Sequence, residues 1–378
     1  MIRRVLHILP SFDVGGLGSL ALAMIRYWPD KNVEHVAIGP RYALTKETLK
    51  PAFTAALGEK AVSLLRNVMS PMDYVGDLQR LIEKLGPFEK VLGYNVSDVV
   101  WNAMSARRAG YAQRYIQHIG TVFPKEAEAQ CSSWLTSPYT DNVLFVPASG
   151  AIHNRCVAFG APGGRLATPI WNGVDVDRFA EARAQWTRAR TQESPKYVTF
   201  GFAGRMADNA KDWRTMLLAF TCLPTEVAAK VRLVLAGDGP QHDEYVKIIR
   251  DAEADPVRGF VAPTSFVGRL APDEIPDFLA GLDVYVMPAL DIEGMSMGLC
   301  EAIATSCAVI STDAPSNVEV LNGAGYISGR PGDIVGMRNA ICAVARSDEL
   351  LSDLQWRARA RAPSFDVRRM TAAYAELR

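Results

Sequence analysis

The chain has 378 residues, of which 49% are hydrophobic, and its 41 basic and 41 acidic side chains leave no formal net charge. This composition is typical of a globular protein and excludes a disordered chain, a collagen and a small disulfide-stapled scaffold. The balance of charge argues against a general nucleic-acid binder, because such binding uses an excess of Lys and Arg to neutralise phosphates.

Short apolar runs alternate with amphipathic, helix-length segments along the first half of the chain. These runs predict strands at residues 5–9, 33–38, 90–92, 115–117 and 142–146. Strands that alternate with helices are typical of a parallel sheet whose strands are joined by crossover helices. The first half therefore predicts one doubly wound α/β domain.

The same alternation returns in the second half of the chain. Strands are predicted there at residues 197–201, 231–236, 265–267, 284–287 and 308–311. Asn172-Gly173 is a strong turn signal between the two sets, and domains of about 100–200 residues also predict two domains for this length. The polar, Arg-rich stretch 180–195 is interpreted as a solvated, helix-like surface excursion. The predicted domains are residues 1–172 and 173–365.

A glycine-rich run from Gly15 to Gly18 lies between the first predicted strand and a helical segment. Glycines at a positively polarised helix start let backbone amides approach a phosphate closely. Gly16 and Gly18 with Ala21 also fit the dinucleotide fingerprint, which leaves an NAD-dependent oxidoreductase as an alternative. Against that alternative, Gly16 lies seven residues beyond Leu9, and the second strand ends without an acidic partner for a ribose.

Two cations flank the loop that follows the predicted strand 197–201. Arg205 comes directly after Gly204, and Lys211 lies six positions further on. Arg offers a planar fork of donors and Lys a point charge, so the pair suits a diphosphate at the carboxyl edge of a parallel sheet. Ordinary solvated surface is the alternative for this pair.

A loop of small residues follows the predicted strand 284–287. It runs from Glu293 through residues 294–297 to a helical segment that carries Glu301. The loop amides can face an anion, and a carboxylate on the first turns of the helix can accept hydrogen bonds from two vicinal ribose hydroxyls. Alternatively, both acids are ordinary helix-start residues favoured by the macrodipole.

The order of these features resembles the retaining nucleotide-sugar glycosyltransferases of the GT-B fold. The early glycines, the Asn-Gly linker, Arg205 with Lys211, and Glu293 and Glu301 with seven residues between them occur in that order along essentially the whole chain. The resemblance implies an α/β fold of two facing Rossmann-like domains, each with a doubly wound parallel sheet, and a cleft between them.

The resemblance also implies roles for the domains and their residues. Residues 1–172 would bind the acceptor and residues 173–365 the donor, and a helix at 366–378 would return to the first domain. The implied catalytic residues are Arg205, Lys211, Glu293 and His118, the last beside the donor sugar. The implied donor-binding residues are Gly15, Gly16, Gly204, Arg269, Gly294, Met295, Ser296, Met297 and Glu301. The chain departs from the family at Met295-Ser296, where Phe-Gly is common.

The activity implied is transfer of a hexosyl or N-acetylhexosaminyl group from a nucleoside diphosphate sugar to a hydroxyl of a glycan, lipid or small molecule. UDP is favoured over GDP as the nucleotide, and no metal or other cofactor is expected. Arg205 and Lys211 would stabilise the departing diphosphate. The remaining alternatives are a catalytically silent nucleotide-sugar binding protein, a nucleotide-sugar epimerase and the NAD-dependent oxidoreductase.

The cysteines and the apolar segments predict the compartment. Six cysteines are spread along the chain with no Cys-x-x-Cys pair, which is typical of buried thiols in a reducing cytosol. The apolar run at the start is too short for a signal peptide. We therefore expect a cytoplasmic protein, with at most peripheral contact to the inner face of the membrane through the first domain.

Overall fold

The computed structural model describes residues 3–10, 16–40, 50–65, 70–94, 96–111, 115–121, 125–189, 197–207, 210–255, 257 and 259–377. The chain divides into two compact units. The first unit comprises Met1–Gly173 together with Val367–Arg378, and the second comprises Val174–Asp366.

The first unit is built on a six-stranded parallel sheet. Its strands are β1 (Arg3–Ile8), β2 (Val33–Pro40), β3 (Val62–Leu65), β4 (Lys90–Gly93), β5 (Tyr115–Ile119) and β6 (Leu144–Pro147). They lie in the order β3-β2-β1-β4-β5-β6. The interior strands β4 and β5 are buried along their whole length, as expected where helices cover both faces of a parallel sheet.

Helices join the strands of the first unit. They are α1 (Gly16–Tyr27), α2 (Lys50–Leu57), α3 (Pro71–Leu85), α4 (Val99–Arg108), α5 (Glu128–Thr136) and α6 (Gly150–Ala158). Serine caps two of these starts: Ser70 Oγ accepts a hydrogen bond from Asp73 N, and Ser149 Oγ accepts one from Ile152 N. Such caps satisfy amides that have no partner within the helix.

The last helix of the chain packs on the first unit. This helix, which we label α16 (Val367–Glu376), contacts α1, and Thr371 Oγ1 donates to Tyr27 O at 2.8 Å. The buried Lys90 ammonium donates to the carbonyls of Tyr374 and Ala375 at the end of α16. A cation at a helix C-terminus is favoured by the macrodipole, so Lys90 fixes the end of the chain to the sheet.

The second unit repeats the architecture. Its strands are β7 (Val198–Ala203), β8 (Val231–Ala236), β9 (Thr264–Gly268), β10 (Val284–Met287), β11 (Ala308–Ser311) and β12 (Tyr326–Ile327), in the order β12-β11-β10-β7-β8-β9. Its helices are α7 (Val176–Ala189), α8 (Trp213–Thr221), α9 (Thr225–Ala228), α10 (His242–Ala254), α11 (Ile275–Ala280), α12 (Met297–Ala304), α13 (Pro315–Leu321), α14 (Ile334–Arg346) and α15 (Asp348–Arg361). The prediction of α/β domains with doubly wound parallel sheets is confirmed.

Helix α7 contains the first part of the stretch 180–195, which the sequence predicts to be a solvated, helix-like surface excursion. Residues 180–189 are helical and mostly exposed, as predicted, and α7 packs on α11 and α12, whereas residues 190–195 lie outside the described residues. Arg183 provides the reason for this packing, since its guanidinium donates to the carbonyls of Thr305, Ala280 and Leu282. An Arg side chain can bury its apolar stem in this way while its guanidinium donates to carbonyls at the ends of neighbouring helices.

Within the part of the chain that the structure describes, no helix combines the length and apolarity that crossing a bilayer requires.

Candidate functional site

Two loops of the second unit are joined at the carboxyl ends of neighbouring strands. The segment after β7 lies antiparallel to the segment after β10, where Lys211 forms a bridge with Ala289 and Asp212 N donates to Pro288 O at 2.6 Å. Asp212 also caps α8 through its bond from Thr215 N. This pairing fixes the backbone of Lys211 beside the loop that carries Glu293.

Lys211 and Glu293 form the best-buried ion pair of the second unit among the described residues. Lys211 Nζ lies 2.5 Å from Glu293 Oε2, and the side chains are 16% and 12% exposed. Burial lowers the pKa of Lys211, and the charge of Glu293 opposes that shift. A cation with few water contacts is strongly attracted to an anion that enters its surroundings, so Lys211 is suited to an anionic ligand.

Arg205 lies on an exposed turn whose backbone is fixed by hydrogen bonds from neighbouring segments. Its carbonyl accepts a hydrogen bond from Nε1 of the buried Trp213 at 3.0 Å, and Met206 N donates to Asp238 O at 2.9 Å. Among the described residues its guanidinium has no ion-pair partner, and the side chain is exposed. The turn therefore fixes the backbone of Arg205 while its guanidinium keeps its charge without an ion-pair partner among the described residues.

Sequence reasoning missed the segment that supports this turn, Gly237-Asp238-Gly239. A methyl group built on Gly237 would lie 1.9 Å from Gly204 O, and one built on Gly239 would lie 2.2 Å from Met206 O. Only glycine permits so close an approach of two backbones. The signal was present in the sequence as two glycines directly after a strand, the usual position of a close backbone contact.

Replacing Gly239 by alanine is expected to lower the free energy of unfolding by about 1–3 kcal/mol, the usual cost of forcing an extra methyl group into packed structure. The φ angle of Gly239 is not in the left-handed region, so the new strain comes from the clash of the methyl group with the backbone of Met206. Urea unfolding measures the loss. Gly164→Ala is the matched control, because nothing lies within 4 Å of the added methyl. Equal stability of the two variants would contradict the packing described here.

Glu301 lies on α12, at the carboxyl edge of the same sheet. Ser296 caps this helix by accepting a hydrogen bond from Leu299 N. Burial raises the pKa of Glu301 to about 7, although the charge of Arg178 lowers it in part. Glu301 in turn raises the pKa of the buried Tyr285, after the larger effect of burial. The carboxylate is therefore poorly solvated, which leaves its oxygens available to hydroxyl donors.

The raised pKa of Glu301 predicts a pH-dependent stability. Its ordinary value is 4.5 and its folded value about 7, so between these pH values the folded state binds more protons than the unfolded state. The free energy of unfolding must then fall as pH rises through this window. Glu301→Gln is expected to match the wild type near pH 4 and to be more stable at pH 8.

Chemical denaturation at the two pH values tests this expectation. Glu253→Gln, on the exposed face of α10, is the control for loss of a surface carboxylate. A Glu301→Gln variant that is no more stable than the wild type at pH 8 would show that the carboxylate carries no desolvation cost.

The other residues predicted for the donor side lie in the same unit. Gly294, Met295 and Ser296 are buried between β10 and α12, and Met297 is half-buried at the start of that helix. Arg269 follows the edge strand β9 and is exposed. The structure thus brings Lys211 and Glu293 into contact and leaves Arg269 beyond the edge strand.

The residues predicted in the first unit are placed separately. Gly15 lies outside the described residues, and Gly16 is the exposed first residue of α1. His118 does not follow a strand, as the sequence predicted, but lies within β5, because the pairing with β6 continues through Ile119. It is 2% exposed, and burial lowers its pKa to about 4. His118 is therefore a neutral, buried imidazole at pH 7.

Among residues whose positions the structure gives, no three His, Cys, Asp or Glu side chains are grouped as a metal ion requires.

Comparison with known proteins gives one family and two groups of relatives. Residues 197–347 match the family described as glycosyl transferases group 1. The chain is 31% identical over 193 residues to the GDP-mannose-dependent alpha-(1-6)-phosphatidylinositol monomannoside mannosyltransferase of Mycobacterium tuberculosis, a match covering 48% of this chain and 46% of that protein. It is 32% identical over 134 residues to the 2-deoxystreptamine glucosyltransferase of Streptomyces kanamyceticus, covering 34% and 32%. The matches thus span less than half of the curated relatives' length.

Solved structures resemble the chain over nearly its whole length. HepE of Anabaena, solved in complex with UDP-glucose, superposes with a TM-score of 0.76 at 17% identity, covering 99% of this chain and 98% of that one. A glycosyltransferase of Rickettsia africae gives a TM-score of 0.74 at 15% identity, covering 99% and 97%. The prediction of the GT-B fold is confirmed.

Proposed function

We propose that this protein is a glycosyltransferase that uses a nucleoside diphosphate sugar. The match of residues 197–347 to the glycosyl transferases group 1 family supports the proposal. The observation that carries the proposal is the joining of the two loops that follow β7 and β10 in the second unit. This pairing brings Lys211 into contact with Glu293. The resemblance to the family implies that both residues contact the donor. Ligands of open parallel sheets bind at the carboxyl ends of the strands.

The charges of the second unit suit a departing diphosphate. As the glycosidic bond stretches, negative charge accumulates on the leaving oxygens, and fixed cations lower the energy of that state. Arg205 can bond two diphosphate oxygens through its fork, and Lys211 supplies a point charge from poorly solvated surroundings. We propose that these two side chains stabilise the charge of the departing diphosphate without requiring a divalent ion.

The two glutamates take different parts in the proposal. When the diphosphate binds, Lys211 pairs with this stronger anion and its ion pair with Glu293 breaks. The Glu293 carboxylate then contacts the transferred sugar. Glu301 accepts hydrogen bonds from the ribose hydroxyls in its ionised form. Since the pKa of Glu301 is about 7, nucleotide affinity is expected to rise between pH 6 and pH 8.

The donor and the stereochemistry are further parts of the proposal. Transfer with retention of configuration rests on the resemblance to retaining enzymes. UDP remains favoured as the nucleotide, and the UDP-glucose complex of HepE supports it, whereas the name of the mycobacterial relative favours GDP-mannose. Both relatives named as transferases, a mannosyl- and a glucosyltransferase, support a hexosyl group and an acceptor hydroxyl.

A nucleotide screen followed by a transfer assay tests the proposal. The melting temperature is measured with UDP, GDP, ADP and their sugars, because a ligand at about 100 times its Kd stabilises the fold by about 2.7 kcal/mol. Release of the nucleoside diphosphate from the best donor is then measured with and without EDTA. We expect one nucleotide class to raise the melting temperature. We also expect its nucleoside diphosphate to be released from the sugar at the same rate with and without EDTA.

Three results would contradict the proposal in different ways. If no nucleotide stabilised the protein, the proposed donor site would be contradicted. Binding without transfer or slow donor hydrolysis would indicate a silent nucleotide-sugar binding protein. Interconversion of the donor sugar without an acceptor would indicate an epimerase.

A further inference from the structure

His118 is held in the first unit by a phenol from the end of the chain. Its Nδ1 lies 2.8 Å from the Tyr374 hydroxyl, and both side chains are buried. Tyr374 lies on α16, whose last carbonyls accept hydrogen bonds from Lys90. The position of the phenol is therefore fixed by an anchored helix.

The direction of this hydrogen bond follows from the acid and base strengths of its two groups. Among the described residues the Tyr374 hydroxyl bonds only to His118, and His118 Nε2 is buried without a partner. Either direction leaves one hydrogen and one acceptor unpaired, so the count of unpaired groups does not decide between them. A phenol is a stronger acid than a neutral imidazole N–H, and an imidazole nitrogen is a stronger base than a phenol oxygen, so the bond is stronger when the phenol donates. The phenol therefore donates, and the hydrogen of His118 is on Nε2.

The unpaired Nε2 faces a position that has no side chain. A methyl group built on Gly120 would lie 3.0 Å from His118 Nε2 and 3.6 Å from Cδ2 of Leu17. Gly120 directly follows β5, at the carboxyl end of the sheet, and Leu17 is in the first turn of α1. Because Gly120 has no side chain, no Cβ presses against the buried Nε2 at the edge where parallel sheets bind ligands.

We propose that Tyr374 is a positioning residue that holds His118 as the Nε2–H tautomer, so that His118 donates a hydrogen bond to an oxygen of a sugar substrate beside Gly120. The inference rests on the proposed function and deepens it, since it adds a residue from the last helix that acts only through His118. A neutral imidazole presents one donor and one acceptor, and the partner on one nitrogen decides what the other nitrogen can do.

Nitrogen-15 spectra of histidine-labelled full-length protein test the tautomer without turnover. The chain has five histidines, and the His118 signals are assigned by their loss in His118→Gln. We expect an unprotonated Nδ1 and a protonated Nε2 in the wild type, and a mixture of tautomers in Tyr374→Phe. Tyr94→Phe is the matched control, because its buried hydroxyl bonds His7 rather than His118 although its ring lies 6.3 Å from that imidazole.

A double-mutant cycle on donor turnover tests the coupling. Tyr374→Phe is expected to lower kcat/KM by about tenfold, the scale seen when the orienting partner of a functional histidine is removed. In the His118→Gln background the same change is expected to have no further effect, whereas Tyr94→Phe leaves kcat/KM unchanged in both.

The two proposals fail on different results. A wild-type His118 that carries its hydrogen on Nδ1, an unaltered spectrum in Tyr374→Phe, or additive effects in the cycle would overturn the role of Tyr374 even if sugar transfer is found. Absence of transfer from every donor would overturn the proposed function even if the spectra are as expected.

Discussion

Replacing Arg205 by alanine is expected to lower the rate of sugar transfer by about 10²- to 10³-fold, which is the usual loss when one preorganised donor is removed from a developing negative charge. Stability should not change. The side chain is exposed, and it is the carbonyl of Arg205 that Trp213 bonds, so alanine keeps the contact that fixes the turn.

Initial rates at saturating donor and urea unfolding measure these two quantities. Arg214→Ala is the control, because Arg214 is an exposed arginine of the same unit that pairs with Glu244 on the neighbouring helix. A wild-type rate in Arg205→Ala, or an equal loss in Arg214→Ala, would show that Arg205 does not act in the site.

Replacing Lys211 by methionine is expected to cause the largest combined loss of stability and activity. Methionine keeps the apolar stem but leaves the Glu293 carboxylate, only 12% exposed, without its cation. Breaking a buried ion pair on one side typically costs about 3–5 kcal/mol of folding free energy. Transfer should fall by at least about 10²-fold, because one of the two cations facing the diphosphate is gone.

The double variant Lys211→Met with Glu293→Gln separates the two effects. It removes the uncompensated charge, so most of the lost stability should return, whereas transfer should stay low. Urea unfolding of the single and double variants with parallel rate measurements decides the matter. A single variant as stable as the wild type would show that the pair carries no buried charge, and recovery of activity in the double variant would show that Lys211 does not act on the diphosphate.

The fold was predictable because most of its strands are continuous apolar runs. Strands β10 and β11, for instance, are buried along their whole length, and the sequence predicts both with the observed bounds. Two strands were missed. Strand β3 is four residues long and half-buried, and β12 has only two residues, so neither has a pattern that differs from its surroundings.

The site was predictable in its residue types but not in its contacts. Lys211 and Glu293 are 82 positions apart in the sequence, and they meet only because two loops pair antiparallel at Ala289. Such pairing of short loop segments has no hydrophobic period that a sequence could display. The strand predicted at 115–117 likewise ended before His118, whereas Gln117 and His118 are both buried and bonded inside the unit.

The crystal structure of the chain with the nucleoside diphosphate selected by the thermal screen is the most direct test of the central claim. We predict that the diphosphate oxygens lie within about 3 Å of the Arg205 guanidinium and the Lys211 ammonium, and that the ribose hydroxyls bond Glu301. A diphosphate bound away from Arg205 and Lys211, with the Lys211–Glu293 pair intact, would contradict the account.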